Sequence, residues 1–499
     1  MTDVTGTRES GAAGAAPMAR AVPETHLAAV ARLQREYAAI PPGRPVRLAK
    51  RTSNLFRFTG ASAPDGLDVS AFGRVLSVDP GTRTAVVGGM TTYEDLADAT
   101  LRHGLMPLVV PQLKTITLGG AVTGLGIESS SLRSGMPHES VTEMEILTGD
   151  GRVVTAADGN SHHALYRGFP NSYGTLGYAL SLTIELEPVL PFVHLRHFRY
   201  ENPDACMEAV ARIAQDGSLS GHRADFVDGT AFSPDEMYLT VGAFSEVAPW
   251  LSDYTRERIY YQSIRGPKED FLTTRDYLWR WDTDWFWCSR AFGVQNPVIR
   301  RAWPRRYRRS DVYRRMVAFD HRHGLFATVN ARRGRPPHED VIQDVEIPVE
   351  RGAEFLRFFA DRVGMSPVWM CPLRLRGTGP GERPAATPGG SDPGGRPPGT
   401  PRGEPAWPLY PLRAGQVYVN FGFWGTVALP PGAADGHYNR QIEDQVTALG
   451  GHKGLYSTSF YSEEEFWKRY NGPEYAKLKR EYDHQGRLAG LYEKCVRGK

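Results

Sequence analysis

Residues 115–135, Thr-Ile-Thr-Leu-Gly-Gly-Ala-Val-Thr-Gly-Leu-Gly-Ile-Glu-Ser-Ser-Ser-Leu-Arg-Ser-Gly, constrain the fold most, because they set five glycines among hydroxyl-bearing side chains. Glycine reaches positive φ at little cost and carries no Cβ, so successive backbone N–H groups can converge on a pyrophosphate while Thr and Ser hydroxyls add donors. A dinucleotide cradle is the natural reading. The spacing Gly124-x-Gly126 is weak by itself, and its parallel-sheet version needs a strand before it, a helix after it and an acid about 20 residues on. That context fails here. The run from Val141 to Thr155 reads as two strands around the turn residues Gly149-Asp150-Gly151, a hairpin pattern. The nucleotide is therefore expected among strands and loops.

The rest of the chain alternates helical and strand periodicities, which sets the fold class as α+β. Leu27, Val30, Leu33 and Tyr37 repeat at helical spacing from Thr25 to Ala39, ahead of Pro41-Pro42-Gly43. Strands are expected at Val75 to Val78 and Thr84 to Gly88. A helix follows from Thr92 to His103, with Leu96, Ala99 and Thr100 inward and Gly104 as its stop. Ser161 to Tyr166 reads as a short helix. Ala179 to Glu187 alternates apolar and polar residues, the signature of a half-buried strand. Beyond Pro188 to Pro191, strand-like runs at His197–Tyr200, Met237–Val241, Ile342–Pro348, Trp369–Leu375 and Gln416–Gly422 predict an antiparallel sheet with covering helices. The expected organisation is a disordered N-terminus at 1–22, a cofactor domain at 23–190 and a substrate domain at 191–499. A floppy Gly/Pro/Arg-rich insertion at 376–407 cannot bury apolar area.

Composition excludes several classes. A chain of 499 residues with 41% hydrophobic content can bury a large core. It has no run of about 18 apolar residues and no signal-peptide core near its start, so it is expected in the cytoplasm. Cys206, Cys288, Cys371 and Cys495 are far apart, and His162-His163 lacks ligand spacing, so no metal site and no disulfide framework is expected. A net charge of +3 is too small for a general nucleic-acid binder. Basicity is uneven, however, with a cluster from Arg300 to Arg315. It reads as a solvated ion-paired face, as a contact for anionic headgroups at a membrane surface, or as a binder of a phosphate on NADPH or nucleic acid.

The segment Leu118-Gly-Gly through Gly126-Ile-Glu-Ser-Ser-Ser131, the following hairpin and Tyr173-Gly-Thr-Leu-Gly177 resemble the PCMH-type FAD-binding domain of vanillyl-alcohol-oxidase-type flavoproteins. Val341 to Pro348, Pro367 to Pro372 and Tyr461 to Trp467 resemble, in order and spacing, the C-terminal domain of the Δ24-sterol reductase branch. Arg47 to Leu55 and Asp276 to Trp287 look more like an actinobacterial subgroup. Its members partner fatty-acid methyltransferases and reduce a methylene branch on an acyl chain to a methyl branch. The resemblance implies FAD as cofactor, NADPH as electron donor and a methylene-branched fatty acyl chain as the lipid substrate, with a Δ24-sterol reductase as the alternative. An FAD-dependent oxidase of a hydroxylated substrate and a flavin-binding protein without turnover remain open.

On this resemblance the cofactor-holding residues are Ser53, Asn54, Thr115, Thr117, Leu118, Gly119, Gly120, Thr123, Gly124, Gly126, Ile127, Glu128, Ser129, Ser130, Gly174, Thr175 and Gly177. An isolated alkene is a poor hydride acceptor, so an acid must protonate one carbon while hydride reaches the other. Glu128 and His138 are the candidate acids, with Glu139, Asp282 and Asp284 behind them. Glu128 reads equally as a partner for a ribose hydroxyl, and His138 as a structural histidine. Trp281, Trp285 and Trp287 are candidates for lining an acyl groove near a lipid-facing entrance, against the plainer reading of core packing. Many relatives of this type bind flavin covalently through a histidine, where this chain has Lys50-Arg-Thr-Ser-Asn54. Flavin is therefore expected to be noncovalent: denaturation and filtration should put the yellow colour in the filtrate, and colour retained on the protein would contradict this.

Overall fold

The computed structural model describes residues 24–50, 66–323, 336–377 and 406–496. Helix α1 (Glu24–Ala39) precedes the first sheet. That sheet contains β1 (Val75–Asp79), β2 (Thr84–Gly88), β3 (Leu105–Pro107), β4 (Val141–Thr148), β5 (Val153–Ala157) and β6 (Gly177–Pro188). Its order is β1-β2-β6-β4-β5, with β3 also on β6, and every pairing is antiparallel. The long β6 is central because it alternates strictly, burying Leu180, Leu182, Ile184 and Leu186. Antiparallel pairing throughout rules out the doubly wound nucleotide fold and gives the α+β class.

Helix α2 (Tyr93–Leu101) starts where the Thr92 hydroxyl accepts from the Asp95 amide, and Gly104, at φ +67°, follows its end. Its inward residues are Leu96, Ala97 and Thr100; Ala99, expected inward, is only half-buried. The glycine segment is not all loop either. Leu118–Gly124 forms a short helix, α3, capped by the Thr117 hydroxyl on the Gly120 amide.

The second sheet has eight strands: β7 (Phe192–Tyr200), β8 (Phe226–Ser233), β9 (Glu236–Ser245), β10 (Glu269–Thr273), β11 (His338–Pro348), β12 (Val368–Leu373), β13 (Tyr418–Ala428) and β14 (His452–Lys453). They run in the order β10-β7-β9-β8-β12-β13-β11-β14, again antiparallel. Its two faces differ in chemistry. One carries Val241, Val341, Val345, Met370, Val419, Phe421 and Phe423, covered by α4 (Pro203–Asp216), α6 (Val349–Arg362) and α7 (His437–Ala448). Phe355, Phe359, Phe421 and Phe423 form a contiguous ring cluster there, with Phe359 and Phe423 centroids 4.4 Å apart.

The opposite face carries polar and aromatic groups and looks toward the first sheet. Between β10 and β11 the chain covers this face with the aromatic segment 277–287, then forms α5 (Pro297–Ala302). No described helix is long and apolar enough to cross a membrane. The N-terminal stretch 1–22 and most of the Gly/Pro-rich insertion lie outside the described residues. The ends of that insertion are not loose: Arg376 is ion-paired with Glu185, and Trp407 is buried against His138.

Candidate active site

Within the glycine segment, residues 123–127 keep partial access, whereas Ala121, Val122 and Glu128 to Ser131 beside them are buried. The accessible strip is latched to the loop 171–177. Tyr173 donates its hydroxyl to the Gly124 carbonyl at 2.6 Å, and its amide bonds the Thr123 carbonyl. In this loop Asn171, Tyr173 and Gly174 all have positive φ, a strained backbone of the kind concentrated at functional sites.

The glycines serve two purposes. Gly119 serves packing: a Cβ there would lie 2.7 Å from the Gly89 carbonyl oxygen, so two backbones approach each other. Gly124 and Gly126 border the accessible strip, Gly126 wedged between Pro111 and Pro137. Several buried polar atoms around the strip have no hydrogen-bond partner among the described residues: Gln112 Nε2, Glu128 Oε2, Asn171 Oδ1 and Ser172 Oγ. Orphaned groups of this kind are costly in a closed interior, and together they fit a polar, hydrogen-bonding cofactor.

The predicted cofactor residues divide accordingly. Thr123, Gly124, Gly126, Ile127 and Gly174 reach the accessible strip, and Thr115 is half-buried nearby in sequence. Thr117, Leu118, Gly119 and Gly120 build α3, while Ser130 bonds the Leu108 carbonyl and Thr175 the Ser172 carbonyl. Gly177, at φ +155°, opens β6. Ser53 and Asn54 lie outside the described residues.

Glu128 sits at the junction of the sheets. Its Oε1 accepts from the Ser129 amide and hydroxyl at 2.7 and 2.6 Å, and Arg280 stands 3.6 Å away. Burial pushes its carboxyl up to about 7, against the pull of Arg280 and the Ser129 bonds. Arg280 also holds Asp228 on β8 at 2.8 Å, and Asp228 accepts from the Trp281 indole at 3.0 Å. Ser129 completes the link through the Tyr277 hydroxyl at 2.7 Å and, through its carbonyl, the Val227 amide.

Across the same face, β11 presents Asp344 and Glu346 two residues apart, hence side by side. Asn420 on β13 lies opposite Glu346 and donates to Asp344 Oδ1 at 3.3 Å. Gly422, opposite Asp344, makes the room: a Cβ would come within 2.5 Å of the Asp344 oxygen. Asp344 is half-buried, and desolvation lifts its carboxyl to about 7. Glu346 is fully buried, accepts from Tyr410 on one oxygen and has no partner on the other. Burial and then the neighbouring Asp344 push it well above the usual range. Tyr456 bonds Asp344 and also accepts from the Trp424 indole at 3.0 Å, which ties the acid to the aromatic layer. Cys371 lies between the two groups, its thiol raised first by burial and then by Glu128, Asp228 and other neighbours.

Other candidate acids change role. His138 is wholly buried, and burial pushes its imidazole down to about 3, so it is neutral and has no imidazolium proton to give. It packs edge-on against Trp407 at 4.5 Å. Glu139 caps its turn through the Met136 amide and also accepts from the Arg376 amide. Asp282 accepts from the Lys114 amide and Asp284 grips Arg300.

Trp281, Trp285 and Trp287 are buried, not exposed at a lipid-facing entrance. Phe286 stacks on Trp424 at 4.2 Å and on Trp281 at 5.0 Å, so the segment forms an aromatic layer over β12 and β13. Trp285 and Phe286 hold positive φ, 44° and 60°. The Arg300–Arg315 cluster is likewise not one exposed face, since Arg300 and Arg308 are buried. Among the described residues no group of three or more His, Cys, Asp or Glu is placed to hold a metal. Sequence reasoning missed Asp228, Arg280, Asp344, Glu346, Asn420 and Tyr456.

Residues 19–157, which include the glycine strip, match a family model described as an FAD binding domain. Among characterised proteins, the chain is similar to enzymes named Delta(24)-sterol reductase. The mouse protein (Mus musculus) is 26% identical over 371 residues, 71% of this chain and 62% of the relative. The Arabidopsis thaliana protein is 23% identical over 462 residues, covering 87% and 77%. The human protein is 24% identical over 372 residues, covering 71% and 62%. The chain thus spans about three fifths of the length of its mammalian relatives.

Removing the Asp228 carboxylate leaves Arg280 buried with only the more distant Glu128 for a counter-charge. Asp228→Ala is expected to cost about 3–5 kcal/mol in a denaturant titration. A loss below about 1 kcal/mol, the range of exposed pairs, would show that this network does not hold the sheets together.

Proposed function

We propose that the chain is an FAD-dependent reductase of an isolated carbon–carbon double bond in a lipid, drawing its electrons from NADPH. The observation that carries this reading is a pair of features: the glycine strip latched to the 171–177 loop by Tyr173, and the Asp344 carboxyl, bonded by Asn420 and Tyr456, which desolvation lifts to about 7 so that a substantial fraction holds its proton at neutral pH. Residues of the strip and the 171–177 loop would hold FAD, and Glu128 Oε2 is free to bond one of its hydroxyls. Reduced flavin supplies a hydride when bound.

The chain's own residues supply the rest. Among the described residues Asp344 has no cation at hydrogen-bonding distance; Asn420 and Tyr456 bond it, and a second acid stands two residues on. Two neighbouring carboxyls in a dry site disfavour simultaneous ionisation, so each raises the other's hold on its proton. Glu128, with Arg280 beside it, is better suited to bind than to donate. Protonation of one alkene carbon by the Asp344–Glu346 pair leaves a tertiary cation, which the ring faces of the aromatic layer stabilise. Hydride addition to the other, cationic carbon completes a two-electron, two-hydrogen reduction.

The relatives' names favour a sterol side-chain alkene as the substrate. The resemblance of Arg47–Leu55 and Asp276–Trp287 favours a methylene-branched acyl chain, supplied by a methyltransferase acting on an unsaturated acyl chain. Both alkenes give a tertiary cation on protonation, so one site chemistry serves either.

The test is anaerobic. The yellow holoprotein is mixed with NADPH, then with a Δ24-sterol or with a phospholipid bearing a methylene-branched chain. Bleaching by NADPH, recolouring by one lipid and a gain of two hydrogens in that lipid are expected, and the responsive lipid identifies the substrate class. No bleaching by NADPH and no recolouring by either lipid would overturn the reductase reading in favour of an oxidase or a non-catalytic binder.

A further inference from the structure

Six of the nine exposed large hydrophobic side chains among the described residues come from two short stretches: Val247, Trp250 and Leu251, and Val298, Ile299 and Tyr307. Val298 is 78% exposed and Leu251 52%. Single exposed apolar residues are ordinary, but a cluster is not. A cleft of 990 Å³ separates the two stretches, lined by Trp250, Leu251, Arg256, Arg258, Arg301 and Arg305.

The basic cluster explains how this surface is built. Arg300 and Arg308 are buried and act as staples. The Arg300 guanidinium donates to the Arg256 and Arg258 carbonyls at 2.9 and 3.0 Å while pairing with Asp284 at 2.7 Å. Arg308 donates to the Thr255 carbonyl at 2.6 Å and the Trp303 carbonyl at 2.9 Å. Together they fix the loop 253–258 to α5 and the turn after it. Arg301, Arg305 and Arg306 remain exposed and make no ion pair among the described residues. Of the nearby acids, Asp253 is paired with Arg256 at 2.7 Å, and Glu257 is exposed.

We propose that this surface docks the protein on an anionic phospholipid bilayer, with Val298, Ile299, Trp250 and Leu251 entering the headgroup boundary and Arg301, Arg305 and Arg306 meeting lipid phosphates. Charge complementarity and the aliphatic rim argue for this occupant. Cationic side chains beside Trp and branched aliphatics are the composition of an interfacial anchor, whereas a nucleic-acid surface would carry stacking aromatics and few aliphatics. Arg300 ties the surface to Asp284 in the aromatic segment. The bilayer would therefore lie against the outer side of the segment whose inner rings cover the sheet. The inference stands on this surface alone and does not depend on which lipid is reduced.

The test is cosedimentation of the flavin-loaded protein with vesicles of phosphatidylcholine alone or with about one third phosphatidylglycerol. Binding to the mixed vesicles only, weakening with added salt, is expected. The triple change Arg301→Gln, Arg305→Gln, Arg306→Gln should weaken the partition by on the order of 100-fold, and Val298→Asp should weaken it independently. Flavin absorbance should stay unchanged in both variants, because neither touches the cofactor strip. Equal binding to both vesicle types, no binding, or a triple variant indistinguishable from the parent would overturn the proposal. So would salt-sensitive binding to an oligonucleotide without binding to vesicles.

Discussion

A desolvated charge network, Glu128–Arg280–Asp228, holds the cofactor half and the second sheet in register. Arg280 is fully buried, so its charge is tolerable only while both carboxylates and the Tyr277 carbonyl stay in place. That requirement couples distant parts of the chain. Glu128 follows the glycine strip, Asp228 sits on β8, and Arg280 opens the aromatic segment. Moving any one exposes or isolates a charge, so the relative placement of strip, sheet and aromatic layer is fixed by electrostatics as well as by packing.

The eight-stranded sheet shows how one element serves stability and chemistry together. Its helix-covered face is filled with Val, Met and Phe, and burial there supplies the ordinary hydrophobic stabilisation. The other face carries His197, Thr240, Asp228, Asn420, Asp344 and Glu346, several with polar atoms left unpaired. Such a face is unfavourable in a pure core. Two consecutive left-handed aromatics, Trp285 and Phe286, add backbone strain of about 1–3 kcal/mol each. The apolar face offsets both, which leaves the polar face free to carry desolvated acids whose carboxyls are raised above their ordinary range.

The fold was readable where local periodicity decides structure. The alternation in β6, the Gly149-Asp150-Gly151 turn and the Gly104 stop after α2 all follow from spacing and turn chemistry. The glycine strip was readable as a cofactor cradle for a similar reason. What remained hidden was set by register between distant strands. Asp344 and Glu346 are two ordinary acids in a strand until Asn420 and Gly422 are aligned with them, some 75 residues away. One signal was present: the two acids alternate with Val345 and Ile347, a spacing of two that places them together on one face of a strand. The Arg300–Arg315 run misled for the converse reason. Composition shows its charge but not that Arg300 and Arg308 turn inward to tie loops together while Arg301, Arg305 and Arg306 remain outside.

The central claim is that a desolvated carboxyl pair on β11 protonates the lipid alkene. The most direct measurement is the rate at which NADPH-reduced protein is reoxidised by the lipid, followed across pH in the parent and in Asp344→Asn. A folded carboxyl at about 7 is protonated below that pH, so the parent rate should be level there and fall as pH rises through it. Asp344→Asn should slow this step by roughly 10²–10⁴-fold while flavin reduction by NADPH is unchanged. A parent rate that is flat through that range, together with an undiminished rate in Asp344→Asn, would contradict the claim.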